Sequence, residues 1–374
     1  MKIAVNTRYL LDDYSEQYGY FILETFNRIT ANHPEHEFLF IFDRPISKKI
    51  VFKENIRSIV VGPAARHPLL WKLWYDIKIP AVLKKQKADV FVSCDGFCSL
   101  TTKVPQCLVV HDLSFLHFPS FNKRSHLLFY KRYIPKYLNK ANTVATVSEF
   151  SKKDILTNYK IDPTKINVVY SGIKEIFKSI TEQEKEDIKK KFTEGKEFFV
   201  CAGSIHPGKN LINLLKAFSI FKKKQQSNMK LLLTGRLTRK YDSFLENLKT
   251  YKHRNDVVMT DYLNETELAK VIGSAYALVY PSWWEGFGMP VLEAMYRNVP
   301  VITSTNSSMQ EIAKDAALYF DPADHNDIAD KMMLLYKDEA LRKKLIQKGK
   351  EIAPLYSWDK TAELLWQSIL KAVG

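Results

Sequence analysis

Two carboxylates, a lysine and several glycines are spaced so that they could do chemistry together. In WWEGFGMPVLEAM, residues 283–295, Glu285 and Glu293 flank the glycine pair Gly286 and Gly288. A glycine turn running into MPVLEAM reads as a helix start, with Glu293 two turns in. Backbone N–H groups at such a start carry partial positive charge and favour an anion such as a phosphate. That anion repels Glu285, which is better suited to accept hydrogen bonds from hydroxyls, as is Glu293. In AGSIHPGKN, residues 202–210, Gly203 and Gly208 permit a tight turn, Lys209 adds a point charge and Asn210 is placed to cap the next helix. LTGR, residues 233–236, adds another glycine turn, followed by Arg236. Amides and a lysine suit phosphates, and carboxylates suit hydroxyls, so the set reads as a site for a nucleotide sugar. Each piece also has a plain structural reading: a capped turn with a solvated lysine, and an acid on a helix dipole.

These motifs follow short apolar runs. KIAVNTR (2–8), EFLFIFD (37–43), SIVVG (58–62), DVFVS (89–93), CLVVHD (107–112) and TVATVS (143–148) predict strands in the first half. FFVCAG (198–203), KLLLTG (230–235), DVVMT (256–260), YALVY (276–280) and VPVITS (299–304) predict them in the second. Continuous Val/Ile/Leu runs with helical stretches between them imply parallel sheets covered on both faces, hence α/β architecture. The alternation restarts after KSITEQEKEDIKKKFTEGKE (178–197), a charged stretch predicted as linker and entry to a second domain. Ligands of such sheets bind beyond the carboxyl ends of the strands, where the motifs lie.

Composition narrows the partners. A chain that is 46% hydrophobic and 26% charged is not disordered. No apolar run reaches the roughly 18–20 residues that span a bilayer, and MKIAVNTRYL reads as a strand and not a secretory signal, so the expected location is the cytoplasm. Cys94, Cys98, Cys107 and Cys201 form no C-x2-C pair and read as buried thiols. Of the net charge of +15, the larger part falls on residues 1–173, with 25 Lys and Arg against 15 Asp and Glu. A basic half suits phosphorylated substrates or an anionic membrane.

The motifs together resemble one family. EGFGMPVLEAM is similar to the E-x7-E signature of retaining glycosyltransferases of GT-B fold, in particular glycosyltransferase family 4. VVHDLSF (109–115), TVSEFSKKDI (146–155), GSIHPGKN (203–210), VYPSWWEGFGMPVLEAM (279–295) and VPVITS (299–304) extend the resemblance over nearly the whole chain. It implies a GT-B fold, two doubly wound Rossmann-like domains facing each other across a cleft. The acceptor-side domain would span 1–177, the donor domain 178–356, and a last helix, 357–374, would cross back to the first domain. It implies a retaining transfer from a UDP- or GDP-sugar to a glycan or lipid-linked acceptor in polysaccharide or cell-envelope biosynthesis. Glu293 would hold the ribose, Glu285 the transferred sugar, the amides of Phe287, Gly288 and Met289 the sugar and diphosphate, and Lys209 the diphosphate. His111 would line the sugar pocket, and the base would lie near Tyr262. Many members carry Gly-Arg where this chain has Gly203 and Ser204, with Arg236 as the substitute charge. Many also carry a Gly-Gly loop where DDYSEQYGY (12–20) has only Gly19.

Breaking a sugar–diphosphate bond leaves negative charge on the leaving group. The sequence has no D-x-D pair to hold a metal there, so the reaction is expected to need no metal and no cofactor, with Lys209 and a helix start in that role. A front-face route makes Glu285 a sugar-orienting group, and a double displacement is the alternative. The competing functions are a nucleotide-sugar epimerase of the same fold and a donor-binding but inactive partner subunit. KRSHLLFYKRYIPKYLNK (123–140) holds six Lys and Arg and no acid, and is a candidate contact with an anionic membrane surface. No nucleic-acid motif accompanies it, so no nucleic-acid partner is expected. Trp71 and Trp74, three apart, read as one packed helical face, as do Trp358 and Trp366 on the last helix; one of Trp283 and Trp284 is expected to be buried.

Overall fold

The computed structural model describes residues 1–10, 17–46, 53–173, 180–237 and 242–374. Residues 12–16 of the expected acceptor loop lie outside these. The chain divides into two compact units, Met1–Gly172 with Ser357–Gly374, and Ile173–Tyr356. The division falls a few residues before the boundary expected at 177.

The first unit is built on seven parallel strands: β1 (Lys2–Asn6), β2 (Glu37–Phe42), β3 (Ile56–Val60), β4 (Val90–Ser93), β5 (Gln106–Val110), β6 (Thr143–Thr146) and β7 (Ile166–Val168). Their order is β3-β2-β1-β4-β5-β6-β7. On β1, Ala4 lies between Leu39 of β2 and Phe91 of β4. The inner strands bury nearly every residue because helices cover both faces. The order reverses between β1 and β4, so the loops leaving those two strands diverge and open a crevice. Trp71 and Trp74 are buried, as their spacing predicts.

The second unit repeats the plan with β8 (Phe198–Ala202), β9 (Lys230–Thr234), β10 (Val257–Thr260), β11 (Ala277–Tyr280), β12 (Val301–Ser304) and β13 (Ala317–Phe320), in the order β10-β9-β8-β11-β12-β13. Its reversal lies between β8 and β11. Of the stretch predicted as linker and entry to a second domain, residues 182–193 form an ordered helix, Glu182–Thr193, of this unit. Thr181 and Glu184 close a capping box at its start, Lys185–Glu182 and Lys189–Glu186 pairs run along it, and Ile188 anchors it in the core. Its charges also pair Lys191 with Glu267 and Glu184 with Lys270 of the neighbouring helix Glu265–Ser274.

The last helix, Trp358–Val373, belongs to the first unit. Ser357 caps it, Trp358, Leu365 and Ile369 are buried, and its Ser368 carbonyl accepts from the Thr143 hydroxyl at 2.9 Å. All four cysteines are free and buried, and burial pushes the Cys107 and Cys201 thiols up to about 12. Among the described residues no helix is long and apolar enough to cross a membrane.

Candidate functional site

Because all six strands of the second unit run parallel, the loops after β8, β9, β10, β11 and β12 emerge at one edge of its sheet, and the predicted residues of this unit sit on them or on the helix that follows. The loops after β8 and β9 run side by side, with the Gly203 amide donating to Thr234 and the Ile205 amide to Arg236. Gly235 makes this approach possible. Its φ is +141°, and a Cβ there would stand 2.0 Å from the Gly203 carbonyl oxygen. Gly203 itself has φ +125°, and its open face is covered by the Lys209 side chain, 3.4 Å from where a Cβ would be.

Lys209 ends a single turn, Pro207–Lys209, that His206 caps by accepting from the Gly208 amide at 3.0 Å. Its ammonium pairs with Glu285 and lies 2.5 Å from the Tyr280 hydroxyl. The same Glu285 oxygen accepts from Tyr280 at 2.8 Å and from Ser282 at 2.5 Å. The Ser282 hydroxyl and the Trp283 amide also approach the Gly208 carbonyl, at 3.1 and 2.9 Å, tying the β11 loop to the β8 loop. On the β12 side, Ser308 donates to the Glu285 carbonyl and Asn306 to that of Trp283. The carboxylate is therefore held by Lys209, Tyr280 and Ser282, and the backbone that carries it is held from the β12 side. Burial and the neighbouring Glu285 hold the Tyr280 phenol well above its ordinary pKa, so it stays a donor.

Gly288, with φ +89°, precedes the helix Met289–Tyr296 and leaves room for the end of Met309. The helix starts later than the sequence suggests, which puts Glu293 one turn in and not two. Glu293 is buried, not a solvated acid, and Arg297 one turn further along supplies an opposing charge. Phe287 is wholly buried with its ring 5.7 Å from that of Tyr356, so only its backbone is available to a ligand, while Met289 is half-buried. Trp283 and Trp284 are both half-buried, contrary to the expectation that one would be buried. Ser204 is exposed, and the Arg236 guanidinium stacks 4.3 Å over the Tyr262 ring. Asn210 does not cap the next helix with its side chain. It takes a left-handed backbone, φ 56°, and its amide donates to the Pro322 carbonyl at 2.7 Å.

The structure thus brings Gly203, Lys209 and Glu285 together, adds Tyr280 and Ser282 to them, and pairs Arg236 with Tyr262. Sequence reading missed Tyr280 and Ser282. The signal was the Y-P-S directly before the tryptophans, two hydroxyl residues at a strand end. His111 belongs to the first unit, just past β5. Its Nε2 donates to the Cys94 carbonyl at 3.1 Å, and burial lowers its pKa to about 4. Among the described residues no three His, Cys, Asp or Glu side chains gather as metal ligands would.

Comparison with known proteins gives a consistent picture. The family described as Glycosyl transferases group 1 matches residues 182–352, and Glycosyltransferase Family 4 matches residues 32–175. The chain is 25% identical to O-antigen chain mannosyltransferase B of Escherichia coli, over 67% of this chain and 66% of the relative, just short of two thirds of its length. It is 27% identical to O-antigen chain mannosyltransferase RfbU of Salmonella typhimurium, over 74% of this chain and 73% of the relative. A similar solved structure is that of Anabaena HepE in complex with UDP-glucose, with a TM-score of 0.76, 14% identity and 99% of both chains covered.

Proposed function

The chain belongs to the family 4 glycosyltransferases of GT-B fold, and from that premise we propose that it moves a hexosyl group from a UDP- or GDP-sugar to a glycan or lipid-linked acceptor. Mannose is the first candidate, since both relatives named above are mannosyltransferases; the product would be a polysaccharide or cell-envelope glycan. The observation that carries this reading is the Lys209–Glu285 pair at the switch point of the second sheet, held by Tyr280 and Ser282. Without a ligand the two charges offset each other. When a donor binds, the ammonium turns to the diphosphate and the carboxylate to the sugar hydroxyls, each exchanging one partner for another.

In that reading Lys209 and the amides of Phe287, Gly288 and Met289 offset the charge that develops on the departing diphosphate. Glu293 holds the ribose, Gly203 and Ser204 leave the diphosphate room, and Arg236 with Tyr262 borders the base. His111 lines the sugar pocket. The reaction needs no metal, because the cation and the helix start supply the positive charge, and it retains the anomeric configuration by a front-face route. The leaving phosphate takes the acceptor proton and Glu285 orients the sugar.

The test is a transfer assay by mass spectrometry with UDP- and GDP-hexoses, EDTA present, and glycan and polyprenyl-linked glycan acceptors. Gain of one hexose on an acceptor supports the proposal. Interconversion of the donor sugar with no acceptor product would mean an epimerase, and binding without turnover an inactive subunit. A second reading concerns the helix Arg124–Lys140. Leu128 on it is 70% exposed and lies within one turn of the exposed Arg124, Lys131 and Arg132, and Leu69, on the adjoining helix Pro68–Leu73, is 76% exposed. An exposed leucine flanked by cations on one helix, with a second exposed leucine on the adjoining one, suits an anionic membrane surface. Sedimentation with phosphatidylglycerol vesicles, but not with phosphatidylcholine vesicles, would support it, and equal partition would not.

A further inference from the structure

We infer that Asp95, clamped by Arg8, is a positioning residue for His111: it fixes the backbone carbonyl that decides which nitrogen of the His111 ring carries the proton. The inference rests on the proposed function only in placing His111 beside the transferred sugar. The geometry behind it belongs to the first unit alone.

Tyr18 and Phe21, on the helix Gln17–Asn32, stand edge-on to the imidazole, with ring centres 4.8 and 5.1 Å away and planes at 80° and 83°. The Ser151 hydroxyl holds the backbone of His111 by donating to its carbonyl at 3.1 Å. Aromatic walls of this kind fix the plane of the ring but not which way round it lies. A half-turn about the Cβ–Cγ bond exchanges nitrogen for carbon at nearly the same places. One polar contact settles both orientation and tautomer. The Cys94 carbonyl, 3.1 Å from Nε2, can only accept, so Nε2 carries the proton and Nδ1 keeps its lone pair. Among the described residues Nδ1 has no hydrogen-bond partner, so nothing there competes with Cys94 for this choice.

The carbonyl is placed in turn by the next residue, Asp95, whose buried carboxylate is a point of convergence. Arg8 Nε reaches it at 2.6 Å, the Asn6 amide at 2.9 Å, the Tyr75 hydroxyl at 2.7 Å, the Ser93 hydroxyl at 3.1 Å and the Phe97 amide at 3.3 Å. Asn6 ends β1, Ser93 ends β4, and Tyr75 comes from the helical turn Trp74–Lys78, so one side chain ties three elements to the loop after β4. Arg8 is itself anchored on the Ala65 carbonyl at 2.9 Å. Beyond Asp95 the chain turns at Gly96, φ +83°, whose amide donates to the Val109 carbonyl of β5 at 3.0 Å. The peptide between Cys94 and Asp95 is held on both sides.

Stability does not account for the pair. Taking two charges out of water is costly, and apolar residues of similar volume often serve a core as well or better. What leucine does not supply is an acceptor on which these donors meet, and with it a fixed loop. In the proposed reaction the His111 lone pair accepts a sugar hydroxyl; with the proton on Nδ1 the ring would offer a donor instead.

The experiment is two-bond ¹H–¹⁵N NMR of the full chain labelled with ¹⁵N-histidine, at neutral pH, well above the value of about 4 at which the His111 ring titrates. The His111 signals are those lost in His111→Gln. Protonated and bare ring nitrogens resonate far apart, so the spectrum names the tautomer. Wild type should show His111 as the Nε2–H form alone. Asp95→Asn puts an amide donor among donors at equal volume, and Arg8→Met combined with Asp95→Leu removes both charges and fills the space. In each, at a melting temperature near that of wild type, the two nitrogen signals should draw together as the ring exchanges tautomers, while the other histidines keep theirs. Tyr75→Phe, which removes one donor and keeps the ring, should give a smaller movement in the same direction. In transfer assays the first two variants should lose about tenfold in kcat, the value of one misdirected hydrogen bond, at unchanged donor KM. A proton on Nδ1 in wild type, or wild-type His111 signals in the folded variants, overturns the inference. The spectrum needs no substrate: a chain that transfers sugar with His111 unmoved by these substitutions loses this inference alone, and one that shows the tautomer effect without transfer loses the proposed function alone.

Discussion

At the scale of single residues, the Lys209–Glu285 pair sets the clearest expectations. Lys209→Ala should lower kcat by roughly 10²–10³, the loss typical of one group that stabilises developing charge, with an unchanged melting temperature. Glu285→Gln should do the same by misorienting the sugar, because an amide oxygen still accepts from Ser282 and Tyr280 and keeps the loop in place. Steady-state kinetics beside thermal melts separates these outcomes from unfolding. Both residues were legible in the sequence because each sits in a glycine turn directly after a strand and within the segments that carry the family resemblance. Tyr280 and Ser282 were not legible, since a tyrosine ending an apolar run and a serine in a turn have many. His111 offers a pH readout. Its folded pKa of about 4 lies below the unfolded value near 6.5, so between these the unfolded chain binds a proton that the folded chain does not. Stability is therefore lost as pH falls from about 6.5 toward 4, by up to about 3 kcal/mol, and His111→Phe should flatten that part of the curve in urea melts against pH.

At the scale of elements, the contact between the β8 and β9 loops depends on a missing side chain. Gly235→Ala would press a methyl group into the Gly203 carbonyl and hold an alanine at φ +141°. A loss of about 2 kcal/mol or more in unfolding free energy is expected, with weaker donor binding, measured by urea midpoint and titration. The inner strands were readable because helices cover both faces, so their buried positions are mostly Val, Ile, Leu, Phe and Ala. The two strands missed, β7 and β13, each lie at one edge of a sheet; INV has only three residues, whereas ALYF is as long as β4 or β11 and carries no glycine turn after it to mark it. The helix Glu182–Thr193 was misread for the opposite reason. Its stability comes from a capping box and spaced charge pairs, with Ile188 as a lone core anchor, so apolar periodicity hardly registers it. Asn210 shows that a good capping residue can serve another element, here the Pro322 carbonyl.

At the scale of the whole molecule, the chain leaves its first unit at Gly172 and returns to it at Ser357. Gly172 marks the junction, because a Cβ on it would stand 2.2 Å from the Trp358 amide nitrogen. The returning helix packs Trp358 near Phe21, with ring centres 6.0 Å apart, and its Thr361 hydroxyl donates to the Tyr170 carbonyl at 2.6 Å. Trp358→Ala should therefore destabilise the first unit by about 3–5 kcal/mol and leave the second nearly untouched. Hydrogen exchange resolved along the chain would show faster exchange in β4–β6 but not in β8–β12. The terminal helix was readable from its serine cap and tryptophan spacing, whereas which unit it joins was expected only through the family resemblance. The central claim, a nucleotide-sugar site built on Lys209 and Glu293 in the second unit, is most directly tested by calorimetric titration. The full chain, in EDTA, would be titrated with UDP- and GDP-hexoses, wild type against Lys209→Ala and Glu293→Ala. The account requires one-to-one binding of at least one donor, weakened tenfold or more, about 1.4 kcal/mol, in each variant at unchanged melting temperature. Absence of binding by every donor, or affinity indifferent to both substitutions, would contradict it.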